Sequence, residues 1–194
     1  MTKNDEPLWI NYHEIEGNVL FGLVSDTHIP EARQTLYDEL YEAFDNCDYI
    51  LHNGDIHDVI VLDWLMEIAP VIAVRGNGDD GSSGRPIAPN DPRLAHNQLL
   101  TVQGIHIGMT HAFPELPYPG SMPLEDAMHR HWKSNVDIII AGDTHVPHVT
   151  QRENTLVINS GSPTYPKNLQ TQLGTIGFLE INNGQVDAWI EQLH

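Results

Sequence analysis

Asp26-Thr27-His28 and Asp143-Thr144-His145 each set a carboxylate and an imidazole two residues apart. In extended backbone, side chains at i and i+2 point to the same side, so each pair can converge on a cation. Asp55, Asn77 and His111 complete a set of seven ligand-type residues with Asp26, His28, Asp143 and His145. Three carboxylates, three imidazoles and one amide carbonyl suit Mn, Fe, Zn or Ni, and suit calcium or a thiolate site less well. Seven ligands exceed one tetrahedral site, but with one carboxylate bridging they fill two. Two divalent ions about 3.5–4 Å apart form a clamp for in-line displacement at phosphorus. A phosphoester is therefore the expected substrate class.

One Asp-x-His pair means little in a chain with 12 histidines; position gives the set its weight. Apolar runs at residues 19–24, 49–51, 71–74, 105–109 and 136–141 read as buried strands, and each ends in this polar chemistry. Between them lie helical patterns. Pro30 is expected to open one, with Leu36, Tyr37, Leu40, Tyr41 and Phe44 as its apolar stripe. Residues 59–69 form a second that stops at Pro70, and residues 123–135 a third with Leu124, Ala127, Met128, His131 and Trp132 on one face.

Strand and helix alternation implies parallel pairing, with the functional groups at the carboxyl ends of the strands. Segments 99–109, 146–158 and 175–190 turn at Gly104, Glu153-Asn154 and Asn183-Gly184 and read as hairpins. The expected fold is α/β, a mixed two-sheet sandwich flanked by helices. Residues 78–93 concentrate the structure breakers and read as a lid or binding loop. Residues 1–17 are set apart as an N-terminal extension, and residues 18–194 as a single domain.

Nine Lys and Arg stand against 27 Asp and Glu, a formal net charge of -18, which excludes a broad basic face for nucleic acid or anionic lipid. A single cysteine, Cys47, excludes an internal disulfide and a Cys-rich zinc site, and reads as a buried structural thiol. The first 17 residues lack the apolar core of a signal peptide, and no apolar run approaches the ~18 residues of a membrane span. A cytoplasmic location without membrane attachment is expected. Homo-oligomerisation is left open.

The chain resembles the calcineurin-like metallophosphoesterase family, in particular its small single-domain bacterial and archaeal phosphodiesterase branch. Asp26-Thr27-His28, Asn53-Gly54-Asp55, Gly76-Asn77, Thr110-His111 and Gly142-Asp143-Thr144-His145 resemble its five motifs in order, and Asn159-Ser160-Gly161-Ser162 the turn that follows. The resemblance implies a four-layer αββα sandwich with a di-metal centre. It places Asp26, His28, Asp55 and His145 on one ion and Asp55, Asn77, His111 and Asp143 on the other, with Asp55 bridging. It also implies that Asp55, Asn77 and His111 serve catalysis and that a hydroxide bridging the two ions attacks a small phosphoester.

Two positions depart from the pattern. Asp143 stands where the fifth motif usually has His, which favours harder ions, Mn first, with Fe, Zn, Ni or Mg as alternatives. Gly78-Asp79 follows Asn77 where many relatives carry a His near the leaving group, so good leaving groups are expected to react best. A non-catalytic interaction scaffold with a degraded metal site is the alternative reading.

Other residues have plainer uses. His52 and His57 flank the second motif as candidates for structural roles before catalytic ones, and His148 is evenly placed between a strand and the pocket. Arg33 and Arg75 read as surface salt bridges. Gly76 to Gly81 matches G-x-G-x-x-G, but Pro86, Pro89 and Pro92 oppose the helix that a dinucleotide fingerprint requires.

Overall fold

The computed structural model describes residues 9–114, 122–169 and 171–194. Its strands are β1 (Ile10–Ile15), β2 (Val19–Val24), β3 (Tyr49–His52), β4 (Val71–Val74), β5 (Leu94–Ala95), β6 (Asn97–Val102), β7 (Ile105–Met109), β8 (Ile138–Ala141), β9 (His148–Arg152), β10 (Thr155–Asn159), β11 (Thr175–Asn182) and β12 (Gln185–Gln192). The helices are α1 (Asp38–Phe44), α2 (Ile60–Met66) and α3 (Leu124–Trp132). Two six-stranded mixed sheets result, in the orders β1-β6-β7-β8-β10-β9 and β12-β11-β2-β3-β4-β5.

The apolar runs are continuous because these strands are covered on both faces. In β4, Ile72 and Val74 join the core between the sheets, while Val71 and Ala73 pack outward with α1 and α2. In β8, Ile138 and Ile140 face the second sheet, and Ile139 and Ala141 face α3. Helix, sheet, sheet and helix therefore stack as the four expected layers. The three hairpins form as β6–β7, β9–β10 and β11–β12.

β2, β3 and β4 run parallel in one sheet, and β7 runs parallel to β8 in the other. Their carboxyl ends meet at one rim. Asn53 ties the two sheets together there, its amide Nδ2 donating to the carbonyls of Ile140 at 2.8 Å and Thr110 at 3.3 Å.

Two local expectations are corrected. Pro30 does not open a helix: the segment before α1 is turns and bends, with the Ala32 N–H on the His28 carbonyl at 2.7 Å. Glu31 is drawn aside to His57 and Arg85, so this stretch follows the rim. Within the stretch set apart as an extension, Ile10–Ile15 form β1, an edge strand parallel to β6. Its polar and exposed positions, such as Tyr12 and Glu14, hide the strand in the sequence. Residues 1–8 lie outside the described residues.

α3 docks through Trp132, fully buried against Gly108, where an added Cβ would lie 2.5 Å from the indole. Its Nε1 donates to the Met109 carbonyl at 3.2 Å. Trp132→Ala is expected to cost about 3–5 kcal/mol of stability, measured by denaturant unfolding.

Candidate functional site

The rim gathers all seven ligand-type residues. Asp26, Asp55, His111 and His145 are buried, His28 is partly buried, and Asn77 and Asp143 face solvent, the Asp143 side chain being 47% exposed. The expected extended backbone is not what aligns the Asp-x-His pairs. Asp26 (φ 56°), His28 (φ 48°), Asp143 (φ 71°) and His145 (φ 57°) are all left-handed, as is Asp55 (φ 52°). Such conformations cost about 1–3 kcal/mol each and persist where the surroundings over-determine them. Here the Asp26 N–H is held by the Gly54 carbonyl at 2.9 Å and the His28 N–H by the Asp55 carbonyl at 3.0 Å.

Glycines allow the loops to close. A Cβ on Gly76 would lie 2.0 Å from Asp55 Oδ1, and one on Gly142 would lie 2.0 Å from Ser25 Oγ. The turn after β10 braces the first loop: Ser162 Oγ donates to the Asp26 carbonyl at 2.7 Å and Thr164 Oγ1 to the Thr27 carbonyl at 2.8 Å.

The imidazoles are oriented from behind. His111 Nδ1 lies 2.7 Å from the Asn53 carbonyl and His145 Nδ1 lies 2.7 Å from the Tyr165 carbonyl. A carbonyl only accepts, so each Nδ1 carries a proton, and in the neutral form of each ring the lone pair sits at Nε2. These lone pairs face other acceptors. His111 Nε2 is 3.2 Å from Asn77 Oδ1, 3.3 Å from Asp55, 3.6 Å from Asp143 and 3.9 Å from Asp26. His145 Nε2 is 3.4 Å from Asp26. His28 Nε2 is buried without a hydrogen-bond partner, 3.4 Å from Asp55 and 4.0 Å from Asp26.

The protonation equilibria record the conflict. Burial pushes the Asp26 carboxyl up to about 6, against the pull of His111 and His145. Burial pulls His111 down, but Asp26 and Asp55 outweigh it and hold the ring above its ordinary value. His28 is pushed down to about 3 by burial and by its neighbours His57 and His145. Acceptors facing acceptors repel unless a proton or a cation lies between them. Three overlapping groups, Asp26-His28-His145, Asp26-Asp55-His111 and His28-Asp55-His57, bring ligand atoms within 4.8 Å of one another. Divalent cations fit that donor set.

The histidines outside the seven divide. His52 is structural: its Nδ1 accepts the Gly54 N–H at 3.3 Å, and its Nε2 meets Thr27 Oγ1 at 3.1 Å. His131 packs between Phe113 and Trp132. His148 lies on β9, outside the cleft described below. His57 stands beside His28, ring centroids 4.3 Å apart.

Asp79 and Arg75 have roles the sequence did not suggest. The buried Asp79 carboxylate accepts the N–H groups of His57 at 2.8 Å, Gly76 at 2.9 Å and Ile56 at 3.2 Å, tying the loop of Asp55 to the loop of Asn77. Arg75 is not a surface ion pair. It is buried and donates to the carbonyls of Ala88 at 2.8 Å, Pro89 at 3.0 Å and Asp79 at 3.3 Å, fastening the long loop. No helix follows Gly81, so the dinucleotide fingerprint lacks its helix. Cys47 is buried, its thiol pushed up to about 12 by burial. A cleft of about 680 Å³ opens beside the His111 side of the cluster, with Asn77, Asp143, Phe113, Arg130 and His131 in its walls.

Residues 19–184 match the calcineurin-like phosphoesterase superfamily domain. The chain belongs to this superfamily. A probable metallophosphoesterase of Methanocaldococcus jannaschii is 32% identical over 162 residues, covering 84% of this chain and 77% of that one. One of Methanothermobacter thermautotrophicus is 30% identical over 172 residues, covering 89% and 91%. Among solved structures, vacuolar protein sorting 29 of Cryptosporidium parvum superposes with a TM-score of 0.68 at 19% identity, covering 91% and 98%. That likeness supports the two-sheet, helix-flanked fold. Among the described residues no helix is long and apolar enough to cross a membrane.

Asp79→Asn turns an acceptor-only group into one whose NH₂ must face a backbone N–H. A stability loss of about 1–3 kcal/mol is expected in thermal or denaturant unfolding of the metal-free protein.

Proposed function

We propose that the protein is a metal-dependent phosphoesterase acting on small phosphoesters, with two divalent ions held by the seven rim residues. Asp26, His28, Asp55 and His145 would hold one ion, and Asp55, Asn77, His111 and Asp143 the other, with Asp55 shared. One observation carries the reading: the Nε2 atoms of His28, His111 and His145 all lie beside carboxylate oxygens, 3.4 and 3.3 Å from Asp55 and 3.4 Å from Asp26 respectively. Ions bound there would lower the pKa of a water toward neutrality and draw negative charge off the phosphoryl oxygens.

The protein's own groups position and select. The Asn53 and Tyr165 carbonyls fix two imidazole tautomers, and the Gly78 N–H holds Asp55 Oδ1 at 2.7 Å. Asn77, His111 and Asp143 line the cleft and so stand nearest to a bound substrate. The cleft falls in the ordinary size range of small-molecule sites and accepts an organic substituent on the ester. Asp79 is committed to backbone N–H groups and cannot protonate a leaving oxygen without breaking that tie. Esters with good leaving groups should therefore react fastest.

Charge favours a diester. Three carboxylates and the nucleophilic hydroxide balance two divalent ions, so the centre has no formal positive surplus to offset the second charge of a dianionic monoester. Asp143, as a carboxylate where an imidazole would be neutral, makes that difference and favours Mn among the candidate ions.

The test is metal analysis of the purified protein together with hydrolysis of a chromogenic phosphodiester in added Mn. About two ions per chain and Mn-dependent turnover are expected, with Asp55→Asn lowering both, activity by about 100-fold or more. A metal-replete protein that is inert, with Asp55→Asn altering neither metal content nor stability, would refute the reading in favour of a non-catalytic interaction module.

Proton competition gives a second test. Binding requires Asp26 charged and His111 neutral, and both hold protons more tightly than the free groups do. Mn affinity should therefore fall as pH drops, first above His111's ordinary value of 6.5 as that ring takes its proton and then through about 6 as Asp26 does, by about tenfold per pH unit for each proton displaced. Calorimetric titrations at a series of pH values measure this, and an affinity flat across that range would contradict it.

A further inference from the structure

His57 extends the ligand cluster beyond the seven residues. Its side chain is 5% exposed, and its Nδ1 lies 2.8 Å from Glu31 Oε2. The other oxygen of Glu31 is 2.6 Å from Arg85 Nη1. A carboxylate only accepts, so Nδ1 carries a proton, and in the neutral form of the ring it is Nε2 that offers the lone pair. His57 contributes its ligand atom to a group with His28 and Asp55, all within 4.8 Å of one another.

The space Nε2 occupies exists only because residue 78 is glycine. A Cβ on Gly78 would lie 2.5 Å from His57 Nε2 and 3.0 Å from Asp55 Oδ1. The backbone of His57 is equally constrained, left-handed at φ 71° with its N–H on Asp79 Oδ1 at 2.8 Å. A salt bridge to Glu31 alone would need only Nδ1; it gives no reason for the opposite nitrogen to sit beside His28 and Asp55.

Resting on the metal-centre reading above, we propose that His57 is a further metal ligand, joining His28 and Asp55, and that Glu31 and Arg85 position it. The carboxylate–imidazole–metal relay that results is the usual means of fixing a ligand tautomer and raising its basicity. Arg85 belongs to the long loop after β4, so this relay also fastens that loop to the ion.

Calorimetric titration of Mn into the ion-free wild type, His57→Gln, Glu31→Gln, the double variant and Gly78→Ala tests the proposal, with thermal unfolding of each ion-free protein as the folding control. His57→Gln should weaken one of the two ions by about 10–100-fold or more and leave the other near its wild-type affinity. Glu31→Gln should weaken the same ion by about tenfold, with no further loss when combined with His57→Gln. Gly78→Ala, whose Cβ would displace the His57 ring and also crowd Asp55 Oδ1, should weaken that ion at least as much as His57→Gln. Wild-type affinity for both ions in folded His57→Gln or Gly78→Ala would overturn the proposal while leaving the seven-residue centre intact. A wild type that takes up no ion would overturn both.

Discussion

Two buried carboxylates, Asp26 and Asp55, set against imidazole lone pairs are the constraint on which the rest of the structure depends. Left to themselves these groups repel, and apolar contact gives none of them a hydrogen-bond partner. The backbone does it instead: the Asp143 N–H reaches both oxygens of Asp26 at 3.2 Å, and the Gly78 N–H reaches Asp55. Each donor comes from a loop on a different strand. The convergence therefore exists only when both sheets are assembled, and the apolar layer between the sheets is what holds the acidic rim in register. A site of this kind is disfavoured as an empty cage and favoured once a cation fills it.

The acidic balance of the chain acquires a structural logic at the same rim. With nine basic residues in all, the chain uses several of them on one stretch. Arg75 clamps the carbonyls of the long loop, Arg85 pins Glu31, and Arg93 pairs with Asp91 and Asp63. Arg33 lies over the Tyr37 ring, 3.4 Å from its centroid. These cations organise loops beside the site, and that is consistent with phosphate being met through a local pocket without a basic face.

The rim was legible in the sequence because buried strands announce themselves as apolar runs and the residues after them carry unmistakable chemistry. Order and spacing then sufficed to bring Asp26, Asp55, Asn77, His111 and Asp143 to one edge. What remained hidden depends on neighbours remote in sequence. Nothing in Asp26-Thr27-His28 reveals a left-handed backbone, since the Gly54 and Asp55 carbonyls impose it from another loop. The roles of Asp79 and Glu31 could not be read from the sequence because their partners are a backbone amide set and a histidine reached only through the fold. β1 escaped because an edge strand with an exposed face has no continuous apolar run, and α1 was drawn too long because an apolar stripe cannot show that Glu31 is needed elsewhere.

The long loop after β4 joins these threads. It begins at the carboxyl end of β4, carries Asn77, and is fastened at three points: Arg75 at its far side, Asp79 beneath Asp55, and Arg85 behind His57 through Glu31. Asn77 and Asp80, on its opening turn, stand in the cleft wall opposite Phe113 and His131. A change that reshapes this loop to admit a different ester would therefore also pull on Asp55 and His57. Cleft shape and the geometry of the carboxylate–imidazole cluster are therefore coupled through one segment.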